Sequence, residues 1–175
     1  NRVDILVNNA GTSAAGSFET VSDEAWMTDL NVKLFGAIRC IREVLPFMKQ
    51  QHWGRIVHLL PSLGHRSTNV SALSASSQLA LIGYSKMLAN ELAPFNITVN
   101  NLVCGPFETS FLTSSVESES HESGRNYDDL MRDTIKSIPM GRLGKPEEVG
   151  DLVAFLSSER ASFMTGSSVV LDGGM

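Results

Sequence analysis

Four short apolar runs, rich in β-branched residues, alternate along this chain with stretches whose apolar positions recur at helical spacing. Residues 3–7 (VDILV) form a nearly continuous apolar run that ends in NNAG at 8–11, the pattern of a buried parallel strand feeding a loop. TVSDE at 20–24 offers capping chemistry. Apolar residues then recur through Trp26, Leu30, Leu34, Ala37, Ile38, Ile41 and Leu45, which predicts a long helix over 24–51. A second strand is expected over 54–60, a second helix over 73–92 closed by Pro94, and a third strand over 97–103 broken by Cys104, Gly105 and Pro106. The Ser-, Glu- and His-rich segment 113–125 has no apolar periodicity and is expected to be a loop. Pro146 opens a helix carrying Val149, Leu152, Val153 and Leu156 on one face, and 168–174 reads as a terminal strand. Strands alternating with helices imply right-handed βαβ crossovers and a parallel sheet covered on both faces, an α/β class, with no internal repeat.

Composition narrows the function classes. At 175 residues the chain suits one domain, residues 1–175, and its 42% apolar and 19% charged content is that of an ordinary globular protein. A net charge of −5 without a Lys/Arg cluster argues against a nucleic-acid partner, and no apolar run is long enough to cross a bilayer, so neither nucleic acid nor membrane is expected. Two cysteines, Cys40 and Cys104, lie on separate elements without CxxC spacing, so no disulfide framework or zinc site is expected and a reducing cytoplasm fits. The chain opens at Asn1 with no methionine, basic segment or apolar leader, which points to no signal peptide and to an N-terminal portion cut away.

Four motifs then stand in a telling order: DILVNNAG at 4–11, LNV at 30–32 within the first helix, VN at 99–100 followed by GPFET at 105–109, and GRLGKPEE at 141–148 with DGG at 172–174. In this combination the chain resembles the short-chain dehydrogenase/reductase (SDR) family over essentially its whole length. The resemblance implies a doubly wound, Rossmann-like parallel sheet of which these would be strands four to seven. Two βαβ crossovers, on the order of 60 to 80 residues, would precede Asn1, and with them the glycine-rich pyrophosphate turn and the residue that selects between cofactors. The implied cofactor is therefore NAD or NADP. Without the flanking strand, residues 3–7 would be an exposed sheet edge. The same resemblance makes residues 107–139 the substrate lid and implies a homo-oligomer built through helices 24–51 and 73–92.

The chain departs from the family where the chemistry sits. Family members carry a tyrosine and, four residues later, a lysine whose charge makes the phenol a better proton donor to the substrate oxygen. Aligned without a gap from Gly64 to LIG at 81–83, this chain has Ser74 and Gln78 at those positions. The substrate-orienting serine falls on Pro61, with Ser62 one place along, while Asn31 matches the asparagine that helps hold a relay water. Tyr84 does not rescue the pattern: Leu88 stands where its lysine would be, so Tyr84 reads as a packing or subunit-contact residue. On the cofactor side the resemblance implies Asn9, Ala10 and Gly11 along the adenosine and ribose, and Gly105, Phe107 and Thr109 at the nicotinamide. Turn geometry is the competing explanation for those residues. His58 and His121 read as structural or solvated, His65 as a residue near the pocket in the expected fold with acid or base chemistry as its alternative, and Cys104 as a small buried thiol with a reactive thiol as its alternative.

The leading expectation is an SDR oxidoreductase for a small carbonyl or alcohol, using NAD(P), with a degenerate tetrad and weak or absent redox activity. A non-catalytic binding or assembly subunit is the alternative. Non-redox chemistry in the old nicotinamide pocket, as in the similar halohydrin dehalogenases, ranks last because those keep a tyrosine.

Overall fold

The computed structural model describes residues 2–11, 19–61 and 72–175. Four strands, β1 (Ile5–Asn8), β2 (Gly54–Pro61), β3 (Ile97–Cys104) and β4 (Ser168–Leu171), lie in that order in one sheet. Every pair is parallel. Between and after them come helices α1 (Asp23–Leu30), α2 (Gly36–Gln51), α3 (Ala72–Leu92), α4 (Ser110–Ser123), α5 (Tyr127–Lys136) and α6 (Pro146–Leu156). This is the Rossmann-like α/β architecture that the alternating pattern implies.

The strand residues alternate between two covered faces. Ile56 of β2 and Ile97 and Val99 of β3 pack with Ile41 and Met48 of α2 and with Leu88 and Leu92 of α3. Val57 and Leu102, one residue out of phase, pack on the other face with Leu156 of α6 and Ala161. A sheet buried on both sides leaves its central strands almost no exposed position, which is why β2 and β3 read as continuous apolar runs. Where polar side chains enter, most are tied to a neighbouring element, although Thr98 Oγ1 has no partner among the described residues. Asn100 donates to Met164 O at 2.8 Å and accepts from Ser167 N at 3.2 Å, clamping the chain into β4. Asn101 accepts from Ser85 Oγ of α3 at 2.9 Å. Arg55, wholly buried, donates to Gly54 O and Asn96 O, lies 4.3 Å from the Trp53 ring centroid and reaches Glu159, which also accepts from Trp53 Nε1.

Three expectations change. The helix over 24–51 is interrupted by a π-helical turn, Asn31–Phe35, between α1 and α2. The polar segment 113–125 is helical, as α4. Periodicity is silent there because only Val116 is buried, and the helix is set by its ends: Thr109 caps it by accepting from Leu112 N at 3.3 Å, and Gly124 stops it at φ 70°. The region 107–139 also holds α5, which the chain pattern alone did not resolve. Its N-cap is Asn126, whose side chain accepts from Asp128 N at 2.8 Å. β1 is an edge strand among the described residues, with Ile5 and Val7 46% and 39% exposed.

His58 belongs to the fold's interior. It stands in register with Asn8 of β1, whose side-chain amide donates to Nδ1 at 3.1 Å. The ring hydrogen is then on Nε2, which is buried and has no partner among the described residues. Burial depresses the imidazole pKa from 6.5 to about 4. The unfolded chain takes up a proton as pH falls through 6.5, whereas the folded one does so only near 4. The contribution is therefore complete above pH 6.5 and lost on the way down to about 4, in all about 3 kcal/mol. Urea unfolding at pH 7 and pH 5 should show the wild type losing about 2 kcal/mol more than His58→Asn over that interval. Equal losses would mean that the imidazole is not held neutral.

Candidate active site

Parallel pairing brings the carboxyl ends of the strands to one edge of the sheet. Asn8 pairs with His58, Pro61 with Cys104, and Cys104 with Leu171, so the segments that leave β1, β2, β3 and β4 emerge together. In such sheets ligands bind outside the carboxyl ends. Ser74 lies in the first turn of α3, the helix that follows β2, and Gln78 lies one turn further along the same face.

Ser74 has an unexpected neighbour. Lys33 Nζ, from the π-helical turn, donates to Ser74 Oγ at 2.8 Å. The same ammonium lies 2.5 Å from Asp29 Oδ1, and Asp29 Oδ2 accepts from Ser77 Oγ at 2.9 Å. Asp29 and Ser77 are each 1% exposed, so this is a buried, hydrogen-bonded ion pair. Sequence reasoning missed it. An acid four residues before a lysine is ordinarily a solvated pair on a helix surface, and only the packing of α1 and the π turn against α3 removes this one from water. Gln78 is 3% exposed, and its Nε2 has no partner among the described residues. An orphaned buried donor costs ~1–3 kcal/mol.

The other expected residues are dispersed. Asn31 is exposed, and its Oδ1 accepts from Arg39 at 3.2 Å. Ser62 and His65 lie outside the described residues; Pro61 ends β2. Asn9, Ala10 and Gly11 are exposed at the carboxyl end of β1, and a Cβ at Gly11 would meet nothing within 4 Å. Gly105 has a packing reason for its identity: a Cβ there would lie 2.6 Å from Asp172 Cα. Its N–H donates to Leu171 O at 2.9 Å. Phe107 is buried against the GRLG turn, bridging to Gly144, and Thr109 caps α4. That turn is held by the Arg142 guanidinium, which grips both Glu148 carboxylate oxygens at 2.7 and 2.9 Å. With the Lys145 N–H at 2.7 Å, it pulls the Glu148 pKa down to about 2. Burial raises the Cys104 thiol to about 11, which disfavours the thiolate that a nucleophile needs. His121 is exposed on α4, and Tyr84 is half-buried against the core. No group of three or more metal-ligating side chains exists among the described residues, and no helix there is long and apolar enough to cross a membrane.

Fold and edge together define a Rossmann-like α/β protein whose candidate chemistry sits where the strands end. Residues 1–175 match the family described as Enoyl-(Acyl carrier protein) reductase. The 3-oxoacyl-[acyl-carrier-protein] reductase of Thermotoga maritima is 34% identical over 174 residues, covering 99% of this chain and 66% of that protein. The NADPH-dependent reductase YwfH of bacilysin biosynthesis superposes with a TM-score of 0.91 at 33% identity, over 99% of this chain and 66% of that one. An NAD+-bound xylitol dehydrogenase does so with a TM-score of 0.89 at 29% identity, over 99% and 69%. This chain belongs to the short-chain dehydrogenase/reductase family of oxidoreductases. It spans 66% and 65% of the length of the first curated relatives it matches.

The Phe107–Gly144 contact supplies a test of how the GPFET and GRLG motifs cooperate. A Cβ on Gly144 would come 2.3 Å from Phe107 Cε1. Gly144→Ala should destabilise the protein by ~1–3 kcal/mol through overpacking, and adding Phe107→Leu should recover part of that loss. Thermal melts of the two variants and the wild type decide it; a neutral Gly144→Ala would remove the contact from the account.

Proposed function

We propose that the protein is an NAD- or NADP-dependent oxidoreductase for a small carbonyl or alcohol, with its family tetrad replaced. Its turnover is expected to fall below that of a member with tyrosine and lysine in place. The observation that carries the reading is the placement of Ser74 and Gln78 along one face of α3 at the carboxyl edge of the sheet. There a hydroxyl and an amide stand where the resemblance puts the proton donor and its cation. Replacing a positioned acid by a poorer one costs ~10² to 10⁴ in rate.

The residues present fit a nicotinamide dinucleotide. Asn9, Ala10 and Gly11 are exposed at the carboxyl end of β1 with open space beside Gly11, and Gln78 keeps an unsatisfied amide donor close by Ser74 in sequence. Asn9, Ala10 and Gly11 would lie along the adenosine and ribose, and Gly105, Phe107 and Thr109 beside the nicotinamide. When bound, that cofactor supplies or accepts a hydride. A water held by Asn31, Ser74 or Ser62 would serve the relay, and residues 107–139, with α4 and α5, would cover the substrate as a lid within a single domain. The NADPH dependence of one structural neighbour and the NAD+ of the other support the cofactor class and leave both forms open.

A second reading, assembly through the helices over 24–51 and 73–92, is favoured by one observation. Met27, Phe35, Leu79 and Met87 expose 55%, 41%, 58% and 50% of their surface on those elements. They suit a second copy of the chain or an intact homologue.

NADH and NADPH titrated into the protein, followed by fluorescence, should show saturable binding of one of them and slow reduction of a panel of small carbonyls. Absence of binding for both would leave the assembly reading, and a mass measurement alone and with an active homologue would then test that.

A further inference from the structure

Lys33 comes to Ser74 from another element. Its Nζ donates to Ser74 Oγ at 2.8 Å while Asp29 Oδ1 holds it at 2.5 Å, and Asp29 is fixed in turn by Ser77 Oγ at 2.9 Å. Ser77 Oγ also lies 3.1 Å from Leu73 O, which shares its one hydroxyl hydrogen with Asp29, so the anchor is part of α3 itself. With Asp29 and Ser77 buried, the cluster is built into the junction of α1, the π-helical turn and α3. The buried Gln78 amide, one turn beyond Ser74, keeps a donor without a partner among the described residues, a second sign that the site takes a polar ligand.

We propose that Ser74 is the catalytic proton donor to the substrate oxygen, and that Lys33, entering from the π-helical turn, supplies the cation that α3 lacks at Gln78. The proposal rests on the oxidoreductase reading and deepens it. An aliphatic hydroxyl alone is a poor acid, but an ammonium donating to its oxygen polarises the O–H toward any acceptor beyond it. Alkylammonium groups and phenols are acids of similar strength in water, so an ammonium working through a hydroxyl replaces what a phenol does directly. An ammonium held against a carboxylate is a donor rather than a base, which separates this arrangement from a serine nucleophile activated by a neutral lysine.

In the reduction, a reduced nicotinamide supplies the hydride that enters the carbonyl carbon. The carbonyl π pair moves onto oxygen, which takes the proton from Ser74 Oγ. Ser74 takes its replacement from Lys33 Nζ, and solvent restores the ammonium. The product is the alcohol and the cofactor leaves oxidised, so atoms and electrons balance. Lys33 touches no substrate and acts through Ser74, as a positioning residue.

The test uses the protein with saturating NADH or NADPH. Ser74→Ala should lower kcat by ~10²-fold with cofactor affinity unchanged within ~2-fold, and Ser74→Thr should restore most of the loss. Lys33→Met leaves a buried carboxylate alone and risks unfolding, so the cation is removed in the double variant Asp29→Asn/Lys33→Met, expected to lose at least ~10-fold in kcat while Lys33→Arg loses less. A readout independent of turnover is the Lys33 Nζ resonance in ¹⁵N-lysine-labelled protein. Isobutyramide, whose carbonyl accepts hydrogen bonds but not hydride, should shift it in the cofactor-loaded wild type and leave it unmoved in Ser74→Ala. If cofactor binds and carbonyls are reduced but Ser74→Ala turns over like wild type, the proposal is overturned and the oxidoreductase reading stands. If neither cofactor binds, both fall. If cofactor binds without turnover, the resonance decides: a Ser74-dependent shift supports the placement, and no shift overturns it.

Discussion

The parallel pairing of β2 with β3 is the constraint on which the rest depends. It fixes Gly54 against Ile97 and Pro61 against Cys104, and so brings every strand's exit to one edge. It also demands crossovers that run back over the sheet, so both faces of the central strands are buried and their polar residues must find partners in the helices. Asn101 does so at Ser85 of α3, whereas Asn100 bonds Met164 O and Ser167 N and His58 bonds Asn8 of β1; Arg55 Nε, His58 Nε2 and Thr98 Oγ1 keep no partner among the described residues. Motifs that look like binding signatures turn out to serve this packing as well. Gly105 gives way to Asp172, and Gly144 to the Phe107 ring.

The buried pair of Asp29 with Lys33 is the other feature that shapes the molecule. A charge taken from water is tolerated only with a close opposite charge and further hydrogen bonds, and Asp29 has both, from Lys33 and Ser77. The π-helical turn stands at this point in the long helix, and such turns frequently accompany functional positions. Ser74 thus acquires a cationic neighbour, Lys33, that its own helix does not supply. The same cluster welds α1 to α3 and holds the Ser74 hydroxyl, so the proposed chemistry would rest on bonds that also serve the packing.

Strand and helix content was largely legible because burial on two faces writes itself as continuous apolar runs, and burial on one face as helical spacing. Residues 54–60 and 97–103 become β2 and β3 with one residue added to each. α4 was not legible, since one buried residue, Val116, makes no period and caps carry the element instead. Among the expected site residues, Ser74 and Gln78 came from the resemblance and share one face of α3. Asn31 was found too but points to Arg39.

By itself the sequence determined the class of fold and the order of its elements, because both are written in local pattern, and it raised the expectation of a departure from the family at Pro61, Ser74 and Gln78. Only the tertiary structure decided what stands beside Ser74. Lys33 and Ser74 are 41 residues apart, and no local rule relates them. Their meeting follows from how α1 and its π-helical turn cross α3 above the sheet edge. The same crossing takes Asp29 out of water and turns an ordinary surface spacing into a buried ion pair.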